Sequence, residues 1–202
     1  MKFLKTSLLL LSAVALTVNL KAQDFEKADL KFLAGQTKFN IEYDYDNMKV
    51  VDDSEETYKK ERMAKLNAKQ PGKGERWAEK WVNARQLVYE PMFEELISKY
   101  VYKANGGLIA KKQADAKYTV YVKTLNTDPG WNVVVMKRNP KCVFEISVIE
   151  ISSGKVMAKG EMKATGVLMG GSDWEFDPTP SIKECYAKAG KEVGKKIAKA
   201  VK

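Results

Sequence analysis

The chain has 202 residues, 45% hydrophobic and 30% charged, with a formal charge of +9 and no histidine. That apolar fraction fits a globular chain rather than a disordered one. The missing histidine excludes His-containing catalytic triads, His-ligated zinc and His-based general acid–base chemistry.

Residues 1–22 read as a cleavable signal peptide: Lys2 and Lys5 make a positive start, an apolar run extends from Ser7 to Val18, and a short polar end leads to cleavage after Ala22. The run falls well short of the roughly 20 apolar residues that a spanning helix needs, and Gln23 stands where a lipoprotein would carry cysteine. The remaining chain, residues 23–202, is long enough for one domain with a sizeable core. The expectation is therefore an exported single domain, periplasmic or extracellular, soluble after cleavage and not membrane-spanning. Export also removes nucleic acid as the partner that a basic chain would otherwise suggest.

Thr37 to Val50 alternates Phe39, Ile41, Tyr43 and Tyr45 against Lys38, Asn40, Glu42, Asp44 and Asp46, the period of a strand with one wet face. The acidic row is explained by that alternation and needs no catalytic role. Ser54 offers an N-cap to a charge-rich peripheral helix that ends before Pro71, with only Tyr58, Met63 and Leu66 to bury. Glu75 to about Tyr102 carries Trp77, Trp81, Ala84 and Val88 on one stripe, with a kink or break expected near Glu90 because Pro91 cannot donate a helical hydrogen bond. Strands are expected over 117–125, 131–137, 142–151 and 155–168, the last two joined by Ser152, Ser153 and Gly154 as a hairpin.

A final helix begins at Ser181, with Glu184 in the capping-box position. Ile182, Tyr186, Ala189, Val193 and Ile197 make its buried stripe, and Lys188, Lys191, Lys195 and Lys199 its solvent face. The sum is an α+β fold: a single antiparallel sheet of about five strands with two or three helices packed mainly on one face.

Three groups of residues are candidates for function. Asp173, Trp174, Glu175 and Asp177 in one loop and Trp131 in another combine aromatic faces with carboxylates, the residue types that stack on sugar rings and accept their hydrogen bonds. The same carboxylates, with Asp128, are the candidates for a His-independent hydrolase acting on carbohydrate. Lys188, Lys191, Lys195 and Lys199 offer a face to anionic envelope surfaces. Cys142, on an inward strand face, and Cys185, at the edge of the last helix's stripe, are placed to form a disulfide in an oxidising compartment. No metal-ligand or cofactor motif occurs, and no catalytic residue stands out.

The succession KYTVYVKTL, CVFEISVIEISSGKVMAKGEMKATG and SIKECYAKAGKEVGKKIAKAV resembles small exported bacterial envelope proteins of unknown function. It is more distantly similar to the α+β domain of the curli-assembly lipoprotein and of the TolB amino-terminal region. The resemblance covers roughly residues 115 to 202. It implies a non-catalytic binding or accessory role with an envelope protein or glycan as partner.

Overall fold

The computed structural model describes residues 24–133, 136–169 and 177–202. The expected signal peptide, and Asp173, Trp174 and Glu175, lie outside the described residues.

The fold is α+β, but its sheet has seven strands rather than five and is mixed rather than antiparallel. β5 (Tyr118–Asp128) is its centre. On one side β5 pairs antiparallel with β8 (Lys141–Glu150), which pairs antiparallel with β9 (Lys155–Thr165). On the other side β1 (Lys38–Asp44) runs parallel to β5, followed by β4 (Leu108–Ala110), again parallel. The parallel pairing arises because helices, not a tight turn, separate β1 from β4 and β5, and a helical crossover returns the chain in the same direction. β2 (Lys49–Val50) and β3 (Asp53–Ser54) extend the β1 side along the far end of β5. The expected strand over 131–137 is instead two short strands, β6 (Trp131–Val133) and β7 (Met136–Arg138), paired antiparallel as a separate ribbon.

One sheet face is apolar. Phe39 and Ile41 align with Tyr118 and Val120, then Val148, Ile146 and Phe144, then Ala158, Met162 and Ala164, all of them buried. The opposite face is wet and charge-paired: Tyr121 donates to Asp44 at 2.8 Å, Lys123 pairs with the same carboxylate, and Lys159 pairs with Glu145 at 2.8 Å. Of the acidic row of β1, Asp44 is the member these pairs neutralise, while Glu42 accepts from the Asn40 amide at 2.8 Å.

α1 (Glu55–Lys69) starts at Ser54, whose hydroxyl accepts the Thr57 N–H. α2 (Lys73–Ala84) passes without a break into α3 (Glu90–Asn105) through a five-residue π-helical turn, Arg85–Tyr89. The kink or break expected near Glu90 takes the form of this π-helical turn, which ends at Tyr89, and the chain stays helical through Pro91. The wider turn lets the Glu90 N–H reach the Arg85 carbonyl, and Pro91, which has no N–H, falls in the first turn of α3, where none is required.

α4 (Thr179–Ala200) buries Ile182, Cys185, Tyr186, Ala189, Val193 and Ile197 against β8, β9 and α3. It begins two residues before Ser181, so the capping box does not form. Asp177 accepts the Thr179 N–H at 3.0 Å, and the buried Ser181 hydroxyl accepts the N–H of Met169 at 2.9 Å. Among the described residues no helix is long and apolar enough to cross a membrane.

Candidate functional site

The far end of β5 builds a cleft. A bulge at Leu125 shifts the register with β8 between Thr124 and Asn126, and such a bulge bends a strand and re-aims the side chains beyond it. Past the bulge, Asn126 donates to the Val51 carbonyl at 2.6 Å, and the Val51 N–H donates to the Thr127 carbonyl at 3.0 Å. These two bonds hold Val51 at φ +59°. A β-branched side chain rarely adopts that region, and strained residues of this kind cluster at ligand sites.

Val51 is one wall of a cleft of about 310 Å³. α1 supplies Tyr58 and Arg62, the β5–β6 turn supplies Asp128, Pro129, Gly130 and Trp131, β7 supplies Arg138, and Pro178 closes the side nearest α4.

Each polar group has a distinct status. Asp128 is buried and accepts from Arg138 Nε at 2.6 Å, from the other face of the same guanidinium fork, and from the Gly130 N–H at 2.9 Å. Gly130 sits at φ +73°, and a Cβ there would come within 2.4 Å of the Arg138 carbonyl oxygen, so only glycine lets the turn close on β7. Asp128 is thus occupied as an anchor for Arg138. Arg62 contrasts with it: half-buried, with a buried Nε that has no hydrogen-bond partner among the described residues. Tyr58 rests on Trp77 and Trp81 with ring centroids 5.9 and 5.5 Å away. Burial lifts its phenol above the ordinary value of 10.0, so it is neutral at physiological pH.

Of the residues expected at a ligand site, Trp131 lines this cleft beside Asp128. Asp177 does not. It serves the first turn of α4 and borders a separate depression of about 440 Å³ with Leu87 and Val88. Asp128 is the one carboxylate among the described residues lining the Trp131 cleft, so no carboxylate pair for glycoside hydrolysis is assembled there. Tyr58, Arg62 and Val51 were not expected at a site. The spacing of Tyr58 and Arg62, four apart on one helix face, was the available signal for the first two.

The lysines of α4 divide. Lys195 and Lys199 meet Lys103 and Lys202 around Tyr100 in a shallow depression of about 250 Å³, whereas Lys188 and Lys191 do not line it. Lys195 is already paired with Glu192 at 3.0 Å. Cys142 and Cys185, expected to form a disulfide, are near each other but free, and both are fully buried; the Cys142 thiol donates to the Thr127 hydroxyl at 3.8 Å. Burial holds the Cys142 thiol well above its ordinary range, so it is protonated and not a nucleophile.

No family model matches the chain, and no curated protein matches it. Among solved structures, the PelC dodecamer from Paraburkholderia phytofirmans is similar at 11% identity and a TM-score of 0.39, over 78% of this chain and 89% of that one. A DUF330 protein from Xanthomonas campestris is similar at 9% identity and 0.36, over 55% and 61%. A hypothetical protein from Chlamydia trachomatis is similar at 16% identity and 0.36, over 54% and 83%. Likenesses this distant assign neither a family nor an activity.

Proposed function

We propose that this chain is an exported, non-catalytic binding module of the bacterial envelope, and that its ligand occupies the cleft between Tyr58 and Trp131. The supporting observation is the cleft's construction: a strained Val51 held by two hydrogen bonds, two lining aromatics, Tyr58 and Trp131, and, among the described residues, an arginine whose Nε has no partner and no second carboxylate beside Asp128. Convergent polar groups in a preformed, mostly apolar concavity are the usual make-up of a ligand site. The leader-like sequence of residues 1–22 and the resemblance of residues 115 to 202 to exported envelope proteins support the location.

The test is titration of chain 23–202 with envelope glycans and peptides, followed by intrinsic tryptophan fluorescence. Binding that is lost in Trp131→Ala supports the reading. Binding unchanged by Trp131→Ala places the ligand elsewhere. Hydrolysis of a glycan that disappears in Asp128→Asn would establish the hydrolase instead.

A second reading, binding of anionic surfaces, is favoured by the convergence of Lys103, Lys195, Lys199 and Lys202. It predicts retention on anionic vesicles that falls steeply with salt and is weakened by Lys199→Gln with Lys202→Gln. Salt-independent retention excludes it.

A further inference from the structure

We infer that the ligand of the Tyr58–Trp131 cleft is a sugar ring bearing a carboxylate, of the uronic acid class, and that Arg62 is its counter-charge. This inference rests on reading the cleft as a binding site, and it adds the chemistry of what binds there.

The charge balance comes first. Among the described residues, three ionised side chains line the cleft: Arg62, Arg138 and Asp128. The last two cancel, because the Arg138 fork is already spent on the Asp128 carboxylate at 2.6 Å and Asp128 is further tied to the Gly130 N–H. What remains is the guanidinium of Arg62. Its Nε is unpaired among the described residues and shielded from the open space of the cleft, so a ligand is met by the terminal nitrogens of Arg62, which lines the cleft and has no ion pair with a described residue. A guanidinium presents donors in a planar fork that a carboxylate matches with two parallel hydrogen bonds. One free fork, with no lysine among the described lining residues, suits a planar monoanion better than a phosphate dianion, which draws several cations or main-chain N–H groups.

The shape comes second. Tyr58 is neutral and packed against Trp77 and Trp81, and the half-buried Trp131 lines the same cleft. Rigid aromatic faces take the apolar face of a sugar ring, and a volume of about 310 Å³ is at the small end of ligand sites. That size holds one ring with its substituent rather than a folded peptide. A ring on the aromatics with its carboxylate on Arg62 satisfies both sets of groups at once.

The experiment titrates chain 23–202 with a galacturonic acid trisaccharide and with its carboxyl-reduced neutral counterpart, each against the natural chain, Arg62→Gln, Arg62→Lys and Trp131→Ala. Thermal melts establish that every variant is folded. The expected result is binding of the acidic sugar at least tenfold tighter than the neutral one, with that preference erased in Arg62→Gln, partly kept in Arg62→Lys, and all binding lost in Trp131→Ala. Equal binding of both sugars, lost in Trp131→Ala but unchanged in Arg62→Gln, overturns the inference while leaving the cleft as a binding site. Tight acidic-sugar binding unaffected by either Arg62→Gln or Trp131→Ala overturns the cleft itself. No binding of either sugar to the natural chain overturns the uronic acid assignment.

Discussion

Tyr186 of α4 and Thr124 of β5 share a hydrogen bond of 2.8 Å between their two hydroxyls, inside a core that leaves each of them only 1% exposed. Tyr186 is also packed edge-on against Phe144 and stacked on Tyr89, both at 4.9 Å, so the hydroxyl pair fixes the helix over the sheet at its most crowded point. Thr124→Val leaves the tyrosine hydroxyl buried without a partner and is expected to cost about 1–3 kcal/mol. Tyr186→Phe removes the other half. Because the pair acts as a unit, the double variant should lose less than the two single losses added together. Urea unfolding of the four proteins checks this, and strict additivity would show that the hydroxyls do not depend on each other.

α4 approaches α3 through glycine. A Cβ on Gly190 would stand 2.4 Å from the Phe93 carbonyl oxygen, and one on Gly194 would stand 2.9 Å from the Ile97 Cα. Both obstacles are backbone, which cannot turn aside. Gly190→Ala is therefore expected to destabilise by about 1–3 kcal/mol through overpacking, despite alanine's better helix propensity of roughly 1 kcal/mol. A midpoint of thermal unfolding that rises in this variant would show that the helices can part at no cost.

The sequence reveals the elements whose side chains repeat with a clear period: β1, the β8–β9 hairpin with Gly154 at φ +67°, and the buried stripe of α4. It conceals what depends on distant chain. Nothing in Leu125 marks a bulge, nothing in Val51 marks a positive φ, and Gly190 and Gly194 read as weak points of a lysine-rich helix until Phe93 and Ile97 are seen against them. Parallel pairing of β1 with β5 leaves no local trace either, since both strands alternate just as antiparallel ones do. At the cleft, Trp131 was legible as an aromatic in a polar turn. Arg62 was one charge among many on α1 until the fold left its Nε without a partner.

Asp44 makes part of the stability pH-dependent. Burial alone would raise its carboxyl, but the Lys123 ammonium, the Asp46 N–H and the Tyr121 hydroxyl together outweigh it and hold the group below the ordinary 3.8. A carboxyl lowered in the folded state adds stability above its unfolded value and loses it as the pH falls through the folded one. The natural chain should therefore weaken from about pH 4 downward, and Asp44→Asn should show a flatter slope there. Tyr121, pushed up to about 12 by burial and then by Asp44, should ionise at lower pH in the same variant. Denaturation midpoints against pH and phenolate absorbance read the two effects, and unchanged curves would remove Asp44 from both roles.

Cys142 of β8 and Cys185 of α4 are both buried where the helix packs on the sheet, and we expect them to join when the chain folds in an oxidising compartment with a thiol–disulfide oxidant present. Joining them closes a loop of roughly 43 residues and should stabilise by about 3–4 kcal/mol on the chain-entropy account. Protein recovered from an oxidising compartment should be two hydrogens lighter than the reduced chain, resist alkylation even when unfolded, and unfold at lower denaturant after reduction. Recovery with both thiols open to alkylation on unfolding would show that burial protects them from the oxidant.

Val50 and Val51 are neighbours with opposite demands. Val50 is fully buried in β2, whereas Val51 is only partly buried and is held at φ +59° by main-chain and Asn126 bonds that do not need its side chain. Replacing Val50 by glycine removes core packing and strand preference and should cost about 3 kcal/mol or more. Replacing Val51 by glycine relieves strain of about 1–3 kcal/mol, which offsets the lost packing and the added freedom of the unfolded chain, so its stability should stay within about 1 kcal/mol of the natural protein. If Val51 is strained for the sake of the cleft, the same variant should bind the cleft's ligand less tightly although it is no less stable. A Val51→Gly variant as unstable as Val50→Gly would show that Val51 is held by packing rather than imposed by the strand end.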